Sequence, residues 1–170
     1  NDNLGEKFGE FATAFCLSIK NTLKDGGILY MAMSAQEWGT IMTELEVAGF
    51  HWSSTIIWNK DHLVMSRKDY HTKYEPIWYG WVDNAPRLFQ VEDRKQSDVW
   101  DIDRPIKSEE HPTMKPVALV ERSLRNSSAV GSVVFEPFAG SGTTIIAAHN
   151  LNRRCFAMEI SPAYGGVILE

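Results

Sequence analysis

The stretch 133–144, VVFEPFAGSGTT, decides the fold of this chain. It begins with an apolar run, passes through an acid and a proline, and reaches Gly140 and Gly142 with one serine between them. An apolar strand that leads through a glycine-rich turn into a helix is typical of α/β proteins that bind a nucleotide-like ligand. Glycine suits such a turn because it accepts positive φ and lets a ligand approach the backbone. The stretch therefore predicts a strand, a tight turn and a helix that starts near Thr143.

The turn that contains Gly140 and Gly142, here named the glycine turn, is followed by an acid at a characteristic sequence separation. Glu159 closes the next apolar run, CFAMEI, nineteen residues after Gly140. An acid at the end of the second strand, about twenty residues on, commonly accepts the ribose hydroxyls of a cofactor. The third glycine of the dinucleotide fingerprint is missing, however, since Ile145 stands there, and so is the lysine of a phosphate-binding P-loop. These features alone leave open a nicotinamide site and a structural turn without a ligand.

The order of predicted elements indicates an α/β fold. Apolar spacings of three and four predict helices, and β-rich runs predict strands. Ser34 is a candidate cap for the second helix, with Glu37 at the capping-box position. Residues 83–112 are aperiodic and contain three prolines, which predicts a loop-rich insertion. The predicted elements are helices over 8–23, 34–49, 116–124 and 143–151, and strands over 28–33, 51–60, 73–82, 132–138 and 153–160.

Composition bounds the class of protein. The chain has 170 residues, which favours one domain, and 44% apolar residues, enough for a core. It contains no run of about 18 apolar residues, and its first residues are polar and acidic, unlike a signal peptide. The net charge of −5 argues against a protein that coats nucleic acid but permits a local basic face. Cys16 and Cys155 are interpreted as buried thiols in a reducing cytoplasm, and no metal site is expected.

Three linked motifs resemble the C-terminal half of one enzyme family. HPTMKP (111–116), FEPFAGSGTT (135–144) and CFAMEISPAY (155–164) occur in the order and at the spacing of the β-group amino DNA methyltransferases. These enzymes use S-adenosylmethionine to methylate the exocyclic amine of adenine (N6) or cytosine (N4). The resemblance covers nearly the whole chain. It implies a Rossmann-like methyltransferase fold, in which helices flank a mixed, mostly parallel sheet.

The resemblance also implies a set of cofactor-binding residues. Phe138, Gly140 and Gly142 would line the methionine and sugar part of the cofactor, and Glu159 would hold the ribose. Lys115 would meet the cofactor's carboxylate, since an ammonium group pairs well with it. Glu136 departs from the family, which usually has the shorter Asp there. The implied set is Thr113, Lys115, Pro116, Glu136, Phe138, Gly140, Ser141, Gly142, Thr143 and Glu159.

The family's catalytic tetrapeptide is absent from this sequence. That motif, D/N/S-P-P-Y/F/W, accepts hydrogen bonds from the target amine and stacks on a base flipped out of the duplex. The sequence contains no Pro-Pro pair, so no catalytic residue is assigned to it. In the family, the strand before the tetrapeptide is central in the sheet. We therefore expect a fragment that lacks this central strand and the C-terminal end of the fold, or one chain of a split enzyme, and in either case no methylation by this chain alone.

Two segments are candidates for DNA contact. The first is KDHLVMSRKDYHTK, here named the basic segment (60–73), which in the family lies near the DNA. The second, here named the recognition segment (83–110), corresponds to the family's variable target-recognition part. A solvated polar loop is the alternative for both. The DNA-binding candidates are Lys60, Arg67, Lys68, Tyr70, Lys73, Arg87 and Arg94.

The expected function is site-specific methylation of adenine N6 in double-stranded DNA, with residues 111–170 as the cofactor-binding half of a single domain. The expected setting is the cytoplasm of a prokaryote, or a phage-encoded enzyme, within a restriction–modification system. A second copy of the chain or a complementing chain is a further candidate partner. The alternatives are an N4-cytosine methyltransferase, a non-catalytic module that binds S-adenosylmethionine or DNA, and a NAD-dependent enzyme.

Overall fold

The computed structural model describes residues 5–83, 85–87, 89, 91, 95–104 and 114–169. A short 3-10 turn, Gly5–Lys7, precedes the first helix. The helices are α1 (Phe8–Thr22), α2 (Trp38–Val47), α3 (Val117–Ser127), α4 (Thr143–Asn150) and α5 (Pro162–Leu169). The strands are β1 (Ile28–Ala32), β2 (Phe50–Val64), β3 (Thr72–Val82), β4 (Val99–Asp101), β5 (Val133–Glu136) and β6 (Arg154–Ala157).

The predicted α/β fold is confirmed, but the strands form two sheets. One has four strands in the order β1-β3-β2-β4, and the other is the parallel pair β5-β6. β1 and β3 are antiparallel, with Met31 opposite Trp78. Within the described residues, no strand pairs with the second edge of β1 or of β5. The mixture of parallel and antiparallel pairs agrees with the expected mixed sheet, and the division of these described strands into two sheets agrees with the expected absence of its central strand.

The chain divides into two compact units. The first comprises the described parts of Asn1–Trp58, Tyr74–Leu88 and Ser97–Trp100. The second comprises the described parts of Asn59–Lys73, Phe89–Gln96 and Asp101–Glu170. The second unit therefore holds the glycine turn, the basic segment and α3 to α5.

The first unit is organised around an apolar core between α1, α2 and the sheet. Helix α1 places Ala12, Cys16 and Ile19 on its buried face, at the spacings predicted for an amphipathic helix. They pack with Ile41 and Leu45 of α2 in one cluster. Strand β3 is buried from Ile77 to Gly80 without alternation, as expected of a strand covered on both faces. Burial raises the pKa of the Cys16 thiol to about 12, with the charge of Glu44 adding to the effect, so this cysteine is an inert core residue.

The second unit packs its helices against the parallel pair β5-β6. Helix α3 contacts α4, and α4 contacts β6. The Arg153 guanidinium joins these elements, since its Nε donates to the Ser128 hydroxyl at 3.1 Å and its Nη1 donates to the Leu151 carbonyl. Asn150 on α4 donates to Glu121 on α3 at 2.9 Å. These bonds hold α3, α4 and the residues just before β6 together.

One prediction about an individual element was wrong. Ser34 does not cap α2, because the helix begins at Trp38 and Glu37 occupies the N-cap position without a side-chain cap bond. The Ser34 hydroxyl instead accepts the Gln36 N–H at 3.3 Å in the preceding turn. The recognition segment, predicted as loop-rich, also contributes the short strand β4 to the edge of the four-stranded sheet. No helix among the described residues is long and apolar enough to cross a membrane.

Candidate functional site

The glycine turn lies between β5 and α4, as predicted. Gly140 and Gly142 both have left-handed backbone conformations, with φ of 53° and 83°. Gly142 is the residue immediately before α4, and its N–H donates to the Ala139 carbonyl at 2.9 Å. A side chain at φ +83° is strained, and a Cβ on Gly142 would lie 3.1 Å from the Ile168 side chain. Both backbone conformation and packing therefore favour glycine at this position.

Glu136 braces the turn from the end of β5. One carboxylate oxygen accepts the Phe138 backbone N–H at 2.9 Å, and the other accepts the Thr144 hydroxyl at 2.7 Å. Burial raises the pKa of Glu136, while these two hydrogen bonds and the positive charge of Lys115 oppose that rise. Glu136, which stands where the family usually has Asp, therefore stabilises the turn through both of its carboxylate oxygens.

The raised pKa of Glu136 predicts a pH-dependent stability. The folded state binds this proton more tightly than the unfolded state, so stability falls as pH rises from the unfolded carboxyl pKa through the raised folded pKa. Glu136→Gln removes the titration, while its amide can still accept from Phe138 and donate to the Thr144 oxygen. We expect the melting temperature of the variant relative to wild type to rise as the pH is raised from 4 to 7, because only the wild type loses a proton that the folded state binds more tightly. Parallel thermal melts at both pH values measure it, and identical pH profiles would contradict it.

Glu159 lies beside the turn at the end of β6. One oxygen of its carboxylate accepts the Gly140 N–H at 2.7 Å, and the other accepts the Ser161 N–H at 2.8 Å. The backbone holds this position too, since the Ala139 N–H donates to the Met158 carbonyl at 2.9 Å. The acid identified by its spacing in the sequence is therefore in hydrogen-bond contact with the first glycine of the turn.

The residues before α3 reach the same turn. The Thr143 hydroxyl donates to the Lys115 carbonyl at 3.2 Å, which ties the start of α4 to the start of α3. Lys115 is half-buried, and Pro116 is buried at the N-cap of α3. Thr113 lies outside the described residues. This bond brings Lys115 and Pro116 to the turn from a second direction.

The surface of the turn is mixed in character. Phe138 keeps 54% of its area exposed. Ser141 is half-buried, whereas Thr143 is buried. The turn thus combines an exposed aromatic ring, glycine backbone and a carboxylate, which suits a ligand with both apolar and hydroxylated parts.

The basic segment forms the outer ends of β2 and β3 and the connection between them. Arg67, Lys68 and Lys73 are exposed, Tyr70 is 90% exposed and Lys60 is half-buried. Two internal bonds order the connection: the Ser66 N–H donates to His71 and the Lys68 N–H donates to the Ser66 hydroxyl, both at 3.3 Å. The segment therefore presents exposed cations around an exposed aromatic ring.

Of the two acids within the basic segment, Asp69 is exposed, whereas Asp61 is bonded within the protein. Asp61 accepts the Arg104 backbone N–H at 3.1 Å and pairs with the His62 ring at 2.6 Å. The Arg104 bond is the main reason that the pKa of Asp61 lies below its usual range. The carboxylate of Asp61 is therefore bonded to groups of the protein itself.

The recognition segment is only partly described. The Arg87 guanidinium stacks over Trp81, 4.3 Å from the ring centroid, and His51 stacks on the same ring at 4.4 Å. Arg87 is therefore held against the sheet as well as being a candidate for DNA contact. Arg94 lies outside the described residues. Trp58 and Trp78 are buried in the core.

Sequence reasoning missed the bracing role of Thr144 and the use of the Thr143 hydroxyl. The sequence predicts a helix that starts near Thr143, and the first turn of α4 does contain both threonines. Their hydroxyls bond to Glu136 and to the Lys115 carbonyl. The separation of Glu136 and Thr144 by eight residues across a turn matches no local pattern, so only the fold brings them together.

Residues 2–170 match the family N6_N4_Mtase, described as DNA methylase. The chain belongs to this DNA methylase family. The predicted family is thereby confirmed, since the match covers nearly the entire sequence.

A relative with a similar sequence is also a methyltransferase by name. This DNA methylase chain is 29% identical over 174 residues to the Type II methyltransferase M2.DpnII of Streptococcus pneumoniae, in a match that covers 94% of the chain and 65% of the relative. The chain thus spans about two thirds of the length of that relative.

Solved structures share the fold. The M1.HpyAVI–SAM complex has a TM-score of 0.82 at 23% identity, over 92% of this chain and 79% of that one. TTHA0409 of Thermus thermophilus, a putative DNA modification methylase complexed with S-adenosyl-L-methionine, has a TM-score of 0.72 at 25% identity. That match covers 96% of this chain and 75% of the other.

Proposed function

We propose that this chain is the cofactor-binding and DNA-facing part of a site-specific DNA methyltransferase that methylates adenine N6. The observation that carries the proposal is the glycine turn, where the Glu159 carboxylate lies 2.7 Å from the Gly140 nitrogen. Membership of the DNA methylase family favours S-adenosylmethionine over a nicotinamide dinucleotide as the ligand. Adenine is preferred to cytosine on family prevalence.

The residues around the turn fit S-adenosylmethionine. Each Glu159 oxygen accepts one backbone N–H and keeps a second lone pair, which can accept a ribose hydroxyl. The exposed Phe138 ring would cover the methionine or sugar part of the cofactor, and the Lys115 ammonium would pair with the cofactor's carboxylate. Gly140 and Gly142 would let the cofactor approach the backbone. The other members of the set, Thr113, Pro116, Glu136, Ser141 and Thr143, would shape or brace the pocket.

The bound cofactor supplies an activated methyl group on its sulfonium. This chain's residues bind the cofactor and hold its ribose and carboxylate at fixed places relative to the turn. No residue of this chain is assigned to accept hydrogen bonds from the target amine of the base, because the family's tetrapeptide is absent from the sequence. The DNA would be double-stranded with the target base flipped out. A complementing chain that carries the tetrapeptide would complete the site in a prokaryotic or phage-infected cytoplasm, and a second copy of this chain remains a candidate dimer partner.

A labelled-methyl assay tests this function. The 170-residue chain, radiolabelled S-adenosylmethionine and duplex DNA are incubated with and without a second chain that carries the family's tetrapeptide strand. We expect no labelled DNA from the chain alone and N6-methyladenine when the second chain is added. Methylation by the chain alone would contradict the predicted division of roles, and label in cytosine would contradict the adenine assignment.

The basic segment would contact the phosphate backbone. Its exposed cations are Arg67, Lys68 and Lys73, while Asp61 is bonded to protein donors. A chain with net charge −5 needs such a local basic surface to approach DNA. The ring of Tyr70, which is 90% exposed, would stack on an unpaired base.

Loss of two of these cations should reduce the salt dependence of DNA binding. For Arg67→Ala/Lys68→Ala, we expect the slope of log K against log salt concentration to fall by about 1–2, since each phosphate contact contributes roughly 0.9. Fluorescence anisotropy with labelled duplex at several salt concentrations measures the slope. Lys24→Ala, which removes an exposed lysine outside the basic segment, is the matched control and should leave the slope unchanged. Equal slopes for the double variant and wild type would rule out phosphate contact by these residues.

A further inference from the structure

A pair of side-chain amides ties the recognition segment to helix α3. Gln96 Nε2 donates to Asn126 Oδ1 at 3.1 Å, and Asn126 Nδ2 donates to Gln96 Oε1 at 3.0 Å. Arg122, one turn earlier on the same face of α3, donates from Nε and Nη2 to that Gln96 oxygen at 3.4 and 3.3 Å. One residue of the recognition segment thus bonds to two residues of the helix.

Burial makes this pairing specific. Asn126 is only 8% exposed, although it lies in the last turn of a surface helix. A buried amide is costly to leave without hydrogen bonds, and Gln96 supplies both a donor and an acceptor to it. A shift of the segment by one residue would replace Gln96 with Lys95 or Ser97, neither of which can reproduce a reciprocal amide pair. The pair therefore selects one register of the segment on α3.

The same segment is attached at a second place, on β2. The Ile102 N–H donates to the Asn59 carbonyl at 3.3 Å, and the Asn59 side chain donates to Asp101 at 2.6 Å. The Arg104 N–H donates to Asp61, within the basic segment, at 3.1 Å. A cleft of about 440 Å³ is lined by Gln96 and Ile102 from the segment and by α3 residues, among them Arg122 and Asn126. The recognition segment is therefore bonded to α3 through Gln96 and to the basic segment through Arg104.

Helix α3 carries these bonds at one end and a contact to the glycine turn at the other. Its first turn follows Lys115, whose carbonyl accepts the Thr143 hydroxyl, and its last turn holds Asn126. The helix has 11 residues, a length of about 16 Å. One rigid element is thus bonded to both the glycine turn and the recognition segment.

We propose that Gln96, Asn126 and Arg122 are positioning residues that fix the register of the recognition segment on α3 before DNA binds. This inference rests on the proposed function and assigns a role to three residues outside the cofactor-binding and DNA-contact sets. A segment ordered in advance loses less conformational entropy on binding, and its base contacts start from one register. The pair therefore contributes to the affinity and sequence preference for DNA and leaves cofactor affinity unchanged.

The test compares Gln96→Ala, Asn126→Ala and the exchanged pair Gln96→Asn/Asn126→Gln in the 170-residue chain. The exchange keeps both amides and the total number of methylene groups. Wild type first selects its preferred duplexes from a pool with random central positions. We expect each alanine variant to bind the selected duplex about tenfold more weakly, and the exchanged pair to bind within about threefold of wild type. Hydrogen exchange at residues 95–104 should be faster in the alanine variants, with the affinity for S-adenosylmethionine unchanged.

Asn150→Ala is the matched control. It removes an amide hydrogen bond to Glu121 on the same helix, of 2.9 Å, but none to the recognition segment. Unchanged sequence selection and affinity in Gln96→Ala and Asn126→Ala, or an equal loss in Asn150→Ala, would overturn the inference and leave the proposed function standing. If wild type selects no sequence from the pool, the proposed site-specific function fails, and the positioning role fails with it.

Discussion

Glu159→Ala is expected to weaken S-adenosylmethionine binding by about a hundredfold, because a hydrogen bond to a charged group contributes roughly 1.5–3 kcal/mol and both ribose hydroxyls would lose their acceptor. The substitution also removes the acceptor of the Gly140 and Ser161 N–H groups, so the turn itself loses two hydrogen bonds. Isothermal calorimetry on the variant and wild type measures the ratio of dissociation constants. An affinity for the cofactor within threefold of wild type would remove Glu159 from the binding site.

Two further variants separate ligand contact from support of the turn. Glu159→Gln keeps one acceptor oxygen but not the charge, and Glu159→Asp keeps the charge on a shorter side chain. If Glu159 holds the ribose, both should bind S-adenosylmethionine more tightly than the alanine variant and more weakly than wild type. Thermal melts run in parallel report the structural part of the effect. An affinity loss that merely follows the melting temperature across all three variants would assign Glu159 to turn stability alone.

Gly142→Ala is expected to lower the free energy of unfolding by about 2–3 kcal/mol. A left-handed backbone costs an L-residue about 1–2 kcal/mol, and forcing the added carbon against a packed neighbour adds roughly 1 kcal/mol. The neighbour is the Ile168 side chain, 3.1 Å from the position of the new Cβ, and the φ of Gly142 is +83°. Chemical denaturation monitored by circular dichroism measures the loss. We expect the S-adenosylmethionine affinity of this variant to fall as well, because α4 starts at the next residue.

Gly131 offers the matched control for this substitution. Its φ is +79°, close to that of Gly142, but nothing lies within 4 Å of a Cβ built on it. Gly131→Ala should therefore show the backbone cost alone, about 1–2 kcal/mol, with cofactor binding unchanged. Equal destabilisation of the two variants would show that the Ile168 contact relaxes without cost.

The features that follow from short-range sequence patterns were predictable. The strand, turn and helix around 133–144 occur where expected, since an apolar run, a glycine pair and helical spacing each act within a few residues. Glu159 was identified from its separation from Gly140, because two consecutive parallel strands bring their carboxyl ends to the same edge. The 2.7 Å bond between them is the local consequence of that geometry.

Features that depend on distant partners were not predictable. Ser34 has the composition of a helix cap, but its hydroxyl closes the preceding turn instead. β4 is only three residues long and lies at a sheet edge, so it has no period of its own. The Gln96–Asn126 pair joins residues thirty apart and carries no sequence signature. In each case the deciding partner is supplied by the fold, which patterns within a few residues do not encode.

Binding of S-adenosylmethionine by the glycine turn is open to one decisive measurement, a calorimetric titration of the wild-type chain with S-adenosylmethionine and, in parallel, with NAD. We expect saturable binding of S-adenosylmethionine at one site per chain and no heat of binding from NAD. Binding of NAD in place of S-adenosylmethionine, or no binding of either by a chain that melts cooperatively, would contradict the assignment of the turn.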